Sequence, residues 1–157
     1  SAMRAMPLST ASTAVIAAAQ ERGRLAVAYH SDMRKTAPDA QVLAVTHQWG
    51  EYYTRRVQAA RDGTWSSNRL WGGVKDGMIR VDAFGPKVPK AVQDEVLARQ
   101  SDIAHGRLHA FSAKGGVKEG VRDNEGRVVI PAGQTLSDDA ILSMNWLAEG
   151  VSGRLKL

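Results

Sequence analysis

Two short polar segments carry most of the side chains in this sequence that could do chemistry. Residues 29–32 read Tyr-His-Ser-Asp, and residues 46–49 read Thr-His-Gln-Trp. Together they offer imidazoles, a carboxylate, an amide and an indole. A carboxylate accepts hydrogen bonds from neighbouring sugar hydroxyls, and an indole presents a flat face on which a planar ring can stack. The combination suits a nucleoside-like ligand.

The candidate ligand contacts in these segments are His30, Ser31, Asp32, His47, Gln48 and Trp49. Structural roles remain open for them, because Asp32 could cap a loop and Trp49 could pack in a core or at a hinge. Asp32 and His47 could also act as base and acid in an enzyme of nucleosides. No nucleophile or metal site accompanies them, so we predict no catalytic residue and no enzymatic activity.

Other patterns in the sequence are weaker signals for chemistry. Residues 72–77 resemble a phosphate-binding loop, but the lysine there is followed by aspartate rather than serine or threonine, which favours a simple turn. The histidines are dispersed, and Gly106 interrupts the helical spacing of His105 and His109, so we predict no metal site. We expect no cofactor.

The composition is that of a globular protein and narrows the range of partners. A chain of 157 residues with 43% hydrophobic and 24% charged residues can form one domain with its own core. The net charge of +5 is scattered along the chain, so we expect no nucleic-acid partner. No apolar stretch predicts a membrane span, and the first residues resemble a tag remnant rather than an export signal. The absence of cysteine excludes disulfides.

Strand-like and helix-like segments alternate along the chain, which predicts an α/β fold with parallel strands flanked by helices. After a disordered lead-in over 1–8, strands are predicted over 25–29, 42–45 and 128–131, a hairpin or a broken strand over 70–81, a loop or hairpin tip over 112–126, and helices over 12–22, 50–62, 89–104 and 137–150. Ligands bind at the carboxyl ends of strands in open α/β sheets. Both polar segments follow predicted strands, so we expect them at one sheet edge.

Several segments of the chain also follow, in order, the motifs of a known family. Residues 25–33, LAVAYHSDM, resemble the GYHSDM region of the basic-membrane-protein (PnrA-like) family of ABC-transporter solute-binding lipoproteins. Residues 46–57, THQWGEYYTRRV, are similar to its NWGPYYTKRV segment. Shorter matches follow at 62–65, 71–78, 84–86, 131–138 and 145–151.

The resemblance implies a Rossmann-like, type I periplasmic-binding fold, of which residues 9–153 would form the C-terminal portion and residues 154–157 a tail. It implies capture of a purine nucleoside or related heterocycle rather than catalysis, with Asp32 on the ribose hydroxyls and His47 facing the ligand. It also implies an ABC transporter permease as partner and a periplasmic or cell-surface location.

Two positions depart from the family pattern: Ala11 stands where an acid is usual, and His47 replaces a common lysine or asparagine. In the family, a first lobe supplies aromatic residues to the site, and the resemblance implies that these 157 residues correspond to the C-terminal portion alone. Such a half protein would expose large apolar faces, so we expect a homo-oligomer. The alternative function is a truncated relative that acts as a self-associating interaction module without binding a ligand.

Overall fold

The computed structural model describes residues 12–114 and 119–155, together with the backbone of residues 5–7. The chain divides into two compact units, residues 1–106 and residues 107–157. Each unit is described by itself.

The first unit is built on a four-stranded sheet with the order β1-β2-β3-β4. β1 (Ala5–Pro7), β2 (Leu25–His30) and β3 (Gln41–His47) run parallel, and β4 (Ile79–Asp82) is antiparallel to β3. The predicted α/β class is confirmed. β1 falls inside the lead-in over 1–8 that the sequence predicted to be disordered, and the rest of that lead-in lies outside the described residues.

Helix α1 (Thr13–Glu21) covers this sheet and builds the core with it. Ser12 caps the helix, because its side chain accepts a hydrogen bond from the backbone of Ala14 at 3.2 Å. The core consists mainly of small residues, which allow the helix and the strands to approach closely. Its buried members are Ile16, Ala19, Ala26, Ala28, Met33, Ala37, Ala40 and Ala44.

Two longer helices of the first unit are poorly covered. α2 (Trp49–Arg61) and α3 (Lys90–Ala104) lie wholly within the described residues, and neither contains a buried residue. Val92 on α3, for example, is 45% exposed. The exposed apolar faces that we expected of a half protein are therefore present on both helices.

The glycine-rich segment before β4 is a turn, as predicted. The backbone N–H of Met78 donates to the carbonyl of Gly73 at 3.0 Å, and the N–H of Gly73 donates to the Asp76 carboxylate at 2.9 Å. Residues 70–71 form no strand, so both the hairpin and the broken strand that were predicted over 70–81 are wrong. β4 pairs with β3 instead, which gives it the partner that a hairpin would have supplied.

The second unit contains an antiparallel pair, β5 (Val121–Arg122) and β6 (Val128–Ile130), and a short helix α4 (Asp138–Leu142). β6 agrees with the strand predicted over 128–131. The predicted helix over 137–150 is wrong beyond Leu142. Residues 147–149 pair with the hairpin instead: the carbonyl of Leu147 accepts from Asn124, and the N–H of Glu149 donates to Arg122.

Candidate functional site

The two polar segments meet at the carboxyl ends of β2 and β3. These strands are parallel neighbours, and His30 is in register with Thr46, one residue before His47. The Nδ1 atoms of His30 and His47 lie 3.2 Å apart, and the two imidazoles stack with their centroids 4.7 Å apart. His30 has a positive φ of 73°, an unusual conformation for a residue other than glycine, where β2 ends.

The stacking continues from the imidazoles onto α2. The indole of Trp49 lies 5.6 Å from the His47 ring at an interplanar angle of only 9°, and the ring of Tyr53 stacks on Trp49 at 5.9 Å. We call these four stacked residues the ring row: His30, His47, Trp49 and Tyr53. Trp49 and Tyr53 are 47% and 59% exposed, so part of the aromatic surface of the ring row is open to solvent.

Tyr53 was not among the candidate site residues. Its position four residues after Trp49 was a usable signal, because side chains at this spacing lie on the same face of a helix. Tyr29 also joins the site, since its ring meets His47 edge-on at 5.5 Å.

The carboxylate of Asp32 lies in a separate network of hydrogen bonds. Arg34 donates to it from Nε at 3.0 Å, from Nη2 at 2.7 Å and from its backbone N–H at 3.0 Å. Gln41 donates to the same carboxylate from Nε2 at 3.0 Å. The hydrogen bond from the Arg34 side chain lowers the pKa of Asp32 to about 2, so Asp32 is ionised at neutral pH.

Gln41 fixes this network to the core. Its side chain is buried, its Oε1 accepts from the backbone N–H of Met33 at 2.8 Å, and its Nε2 also donates to the carbonyl of Ala83 at 2.7 Å. Gly85 packs directly against it, since a Cβ at that position would lie 1.7 Å from the Gln41 carbonyl oxygen. Local sequence patterns do not predict this role of Gln41, because its partners Met33, Asp32 and Ala83 lie 8, 9 and 42 residues away in the chain.

The remaining candidate residues, Ser31 and Gln48, belong neither to the ring row nor to the Asp32 network. Ser31 is exposed between His30 and Asp32. Gln48 precedes α2, and its Nε2 donates to the Thr46 hydroxyl at 3.2 Å. The structure thus brings His30, His47 and Trp49 into one stacked group, while Asp32 lies with Arg34 and Gln41.

Other features of the described residues do not add to this site. A groove of about 310 Å³ lies between α3 and β4, and its lining residues belong neither to the ring row nor to the Asp32 network. Within 12–114 and 119–155, no cluster of three or more metal-ligating side chains occurs. Over the same residues, no helix combines the length and apolar character that a membrane crossing requires.

Comparison with solved structures supports the fold. The crystal structure of a transcriptional activator of the comK gene from Bacillus halodurans matches 62% of this chain with a TM-score of 0.56. The sequences are 17% identical, and the match covers 35% of that chain. The similarity therefore concerns the fold alone.

Two sequence relatives and a family profile identify the family. The chain is 36% identical over 148 residues to a purine-binding protein of Brucella abortus (strain 2308), which covers 93% of this chain and 40% of the relative. It is 27% identical over 112 residues to a putative ABC transporter glucose-binding protein of Haloferax volcanii, with 71% of this chain and 28% of the relative covered. The chain thus spans less than half the length of either relative. Residues 6–111 match the family described as ABC transporter substrate-binding protein, PnrA-like. This chain belongs to that family of substrate-binding proteins.

Proposed function

We propose that this chain forms the ligand-holding edge of an extracytoplasmic solute-binding protein, which delivers a purine base or purine nucleoside to an ABC importer. The observation that carries the proposal is the ring row at the carboxyl ends of β2 and β3. A purine is flat and aromatic, so an exposed indole stacked on an imidazole offers it a matching surface. The purine-binding protein of Brucella abortus supports the same ligand class.

The nitrogen atoms of a purine need hydrogen-bonding partners as well as a stacking surface. The imidazoles of His30 and His47 can each donate or accept, depending on their tautomers. Gln48 and Ser31 lie beside these imidazoles in the chain and add an amide and a hydroxyl. We assign ring stacking to Trp49 and polar recognition to these four neighbours.

Asp32 is the candidate residue for binding ribose hydroxyls, but its existing hydrogen bonds restrict its capacity to accept new ones. Its oxygens already accept hydrogen bonds from Arg34 and Gln41, which use most of the four acceptor positions of a carboxylate. A ribose would have to share the carboxylate with Arg34 or displace it. We therefore expect this chain to bind a free base at least as tightly as the corresponding nucleoside.

A second candidate function rests on α2 and α3. Because neither helix contains a buried residue, the chain could act as a self-associating interaction module without a ligand. Such a module would not need the chemistry of Asp32 or His47. Replacing Asp32 by alanine would then leave its association unchanged.

Isothermal titration calorimetry with adenine, adenosine, guanosine and glucose tests the proposed function. Glucose is included because of the name of the Haloferax volcanii relative. The proposal predicts saturable heat with at least one purine compound and none with glucose at the same concentrations. Heat with glucose alone would reassign the ligand class, and no heat with any compound would favour the interaction module.

A further inference from the structure

The geometry of the His30 and His47 pair would also suit a ligand other than a stacked purine. Their Nδ1 atoms approach to 3.2 Å across two neighbouring strands. In the neutral pair, one nitrogen donates a proton to the lone pair of the other. If the donor imidazole moves its proton from Nδ1 to Nε2, both rings stay neutral and each Nδ1 atom has a lone pair available for coordination of a metal ion.

We propose that His30 and His47 together bind a borderline transition-metal ion of the Cu²⁺, Zn²⁺ and Ni²⁺ class through their Nδ1 atoms. Imidazole nitrogens coordinate such ions at about 2.0–2.1 Å. With that bond length, an Nδ1–Nδ1 separation of 3.2 Å gives an N–metal–N angle of about 100–105°. This angle is close to the tetrahedral value that Zn²⁺ adopts.

The backbone contributes to this arrangement. His30 adopts its positive φ at the end of β2, and His47 ends the parallel neighbour β3. His30 is exposed and His47 is half-buried, so an ion from the solvent has access to the pair. The strands hold the two Cα atoms in place, so the chelate needs little ordering of the backbone.

The site offers two protein ligands and leaves the other coordination positions open. No cluster of three or more candidate ligands occurs among the described residues. Water, or a nitrogen of a bound heterocycle, would complete the coordination. The affinity of the site for divalent metal ions should follow the usual order for nitrogen ligands, with Cu²⁺ bound more tightly than Ni²⁺ or Zn²⁺.

Titration of the tag-free, chelator-treated protein with CuCl₂, NiCl₂ and ZnCl₂ tests the proposal. We expect one strong Cu²⁺ site per chain by calorimetry, and a loss of affinity of about tenfold or more in His30→Asn and in His47→Asn. Asparagine is chosen because it tolerates the positive φ of residue 30. The matched controls are His105→Asn and His109→Asn, which should retain wild-type affinity.

Trp49 supplies a second measurement, because its indole stacks on His47 at 5.6 Å. Bound Cu²⁺ should quench its fluorescence, and His47→Asn should abolish the quenching at the Cu²⁺ concentration that saturates the wild-type protein. Affinity within about twofold of wild type in either His30→Asn or His47→Asn would overturn the proposal. So would loss of the site in the His105 or His109 variant. Purine titrations of the same proteins decide the proposed function separately.

Discussion

The guanidinium of Arg34 donates a hydrogen bond to the carboxylate of Asp32, two residues earlier in the chain, with Nη2 2.7 Å from Oδ2. The pair is partly exposed, yet it is tied to the core through the buried side chain of Gln41. Arg34 and Gln41 therefore hold the carboxylate in one orientation. If Asp32 contacts a ligand as proposed, this preorganisation would reduce the ordering cost of binding.

This pair predicts a pH dependence of stability. The pKa of Asp32 falls from 3.8 to about 2 in the folded protein, mainly through the Arg34 side-chain hydrogen bond. Because the folded-state pKa is depressed, the stabilising contribution is complete above about pH 4 and is lost as the pH falls towards about 2. The difference in unfolding free energy between wild type and Asp32→Asn should shrink over that window.

Urea unfolding of both proteins at about pH 6, about pH 4 and about pH 3 measures this difference. Arg34→Gln serves as the second variant, since removing the guanidinium returns the pKa of Asp32 towards its ordinary value. A difference that stays constant from pH 6 to pH 3 would contradict the assigned role of the pair.

Replacing Gln41 by leucine should destabilise the protein strongly. The substitution keeps the side-chain volume but leaves the Met33 N–H and the Ala83 carbonyl without their buried partner. We expect a loss of about 2–4 kcal/mol in unfolding free energy. Gln58→Leu is the matched control, because Gln58 is exposed on α2 and should change stability by less than about 0.5 kcal/mol. Equal effects in the two variants would show that Gln41 does not anchor the network.

Gly85→Ala should also be destabilising, for a steric reason. The new Cβ would overlap the carbonyl oxygen of Gln41 on β3, so the backbone of one segment must move. A loss of about 1–3 kcal/mol is expected from such overpacking. Gly73→Ala provides the comparison, because a Cβ there meets nothing within 4 Å. Thermal unfolding that gives the same midpoint for both variants would refute the close approach.

The uncovered face of α2 predicts self-association. Tyr53 and Val57 lie one helical turn apart on α2 and are 59% and 61% exposed. We expect wild-type protein to be oligomeric at micromolar concentration by light scattering, and the double substitution Tyr53→Glu with Val57→Glu to shift it towards monomer. Gln58→Glu, about 100° around the helix from Val57, should leave the mass unchanged. A monomeric wild type would disprove this expectation.

Local sequence patterns predicted the elements that position the site. The apolar runs over 25–29 and 42–45 become β2 and β3, and the helix predicted over 50–62 is α2. These predictions succeed because a short apolar run bounded by polar residues favours a strand buried in a parallel sheet. The convergence of His30 and His47 then follows from the parallel direction of the two strands.

Contacts between distant segments could not be predicted in this way. Gln41, for example, contacts Asp32 nine residues away and the carbonyl of Ala83 42 residues away. The early end of α4 has the same kind of cause, since residues 147–149 bond to the β5–β6 hairpin in preference to continuing a helix. Tertiary contacts of this kind override local propensity.

Affinity for adenine in Trp49→Ala, compared with Trp71→Ala, tests the ring row as a purine-binding surface most directly. Both indoles are about half exposed, but only Trp49 stacks on His47. If a purine stacks on the ring row, calorimetry should show a loss of about tenfold or more in Trp49→Ala, and little change in Trp71→Ala. Equal affinities in wild type and Trp49→Ala would contradict the assignment of this surface.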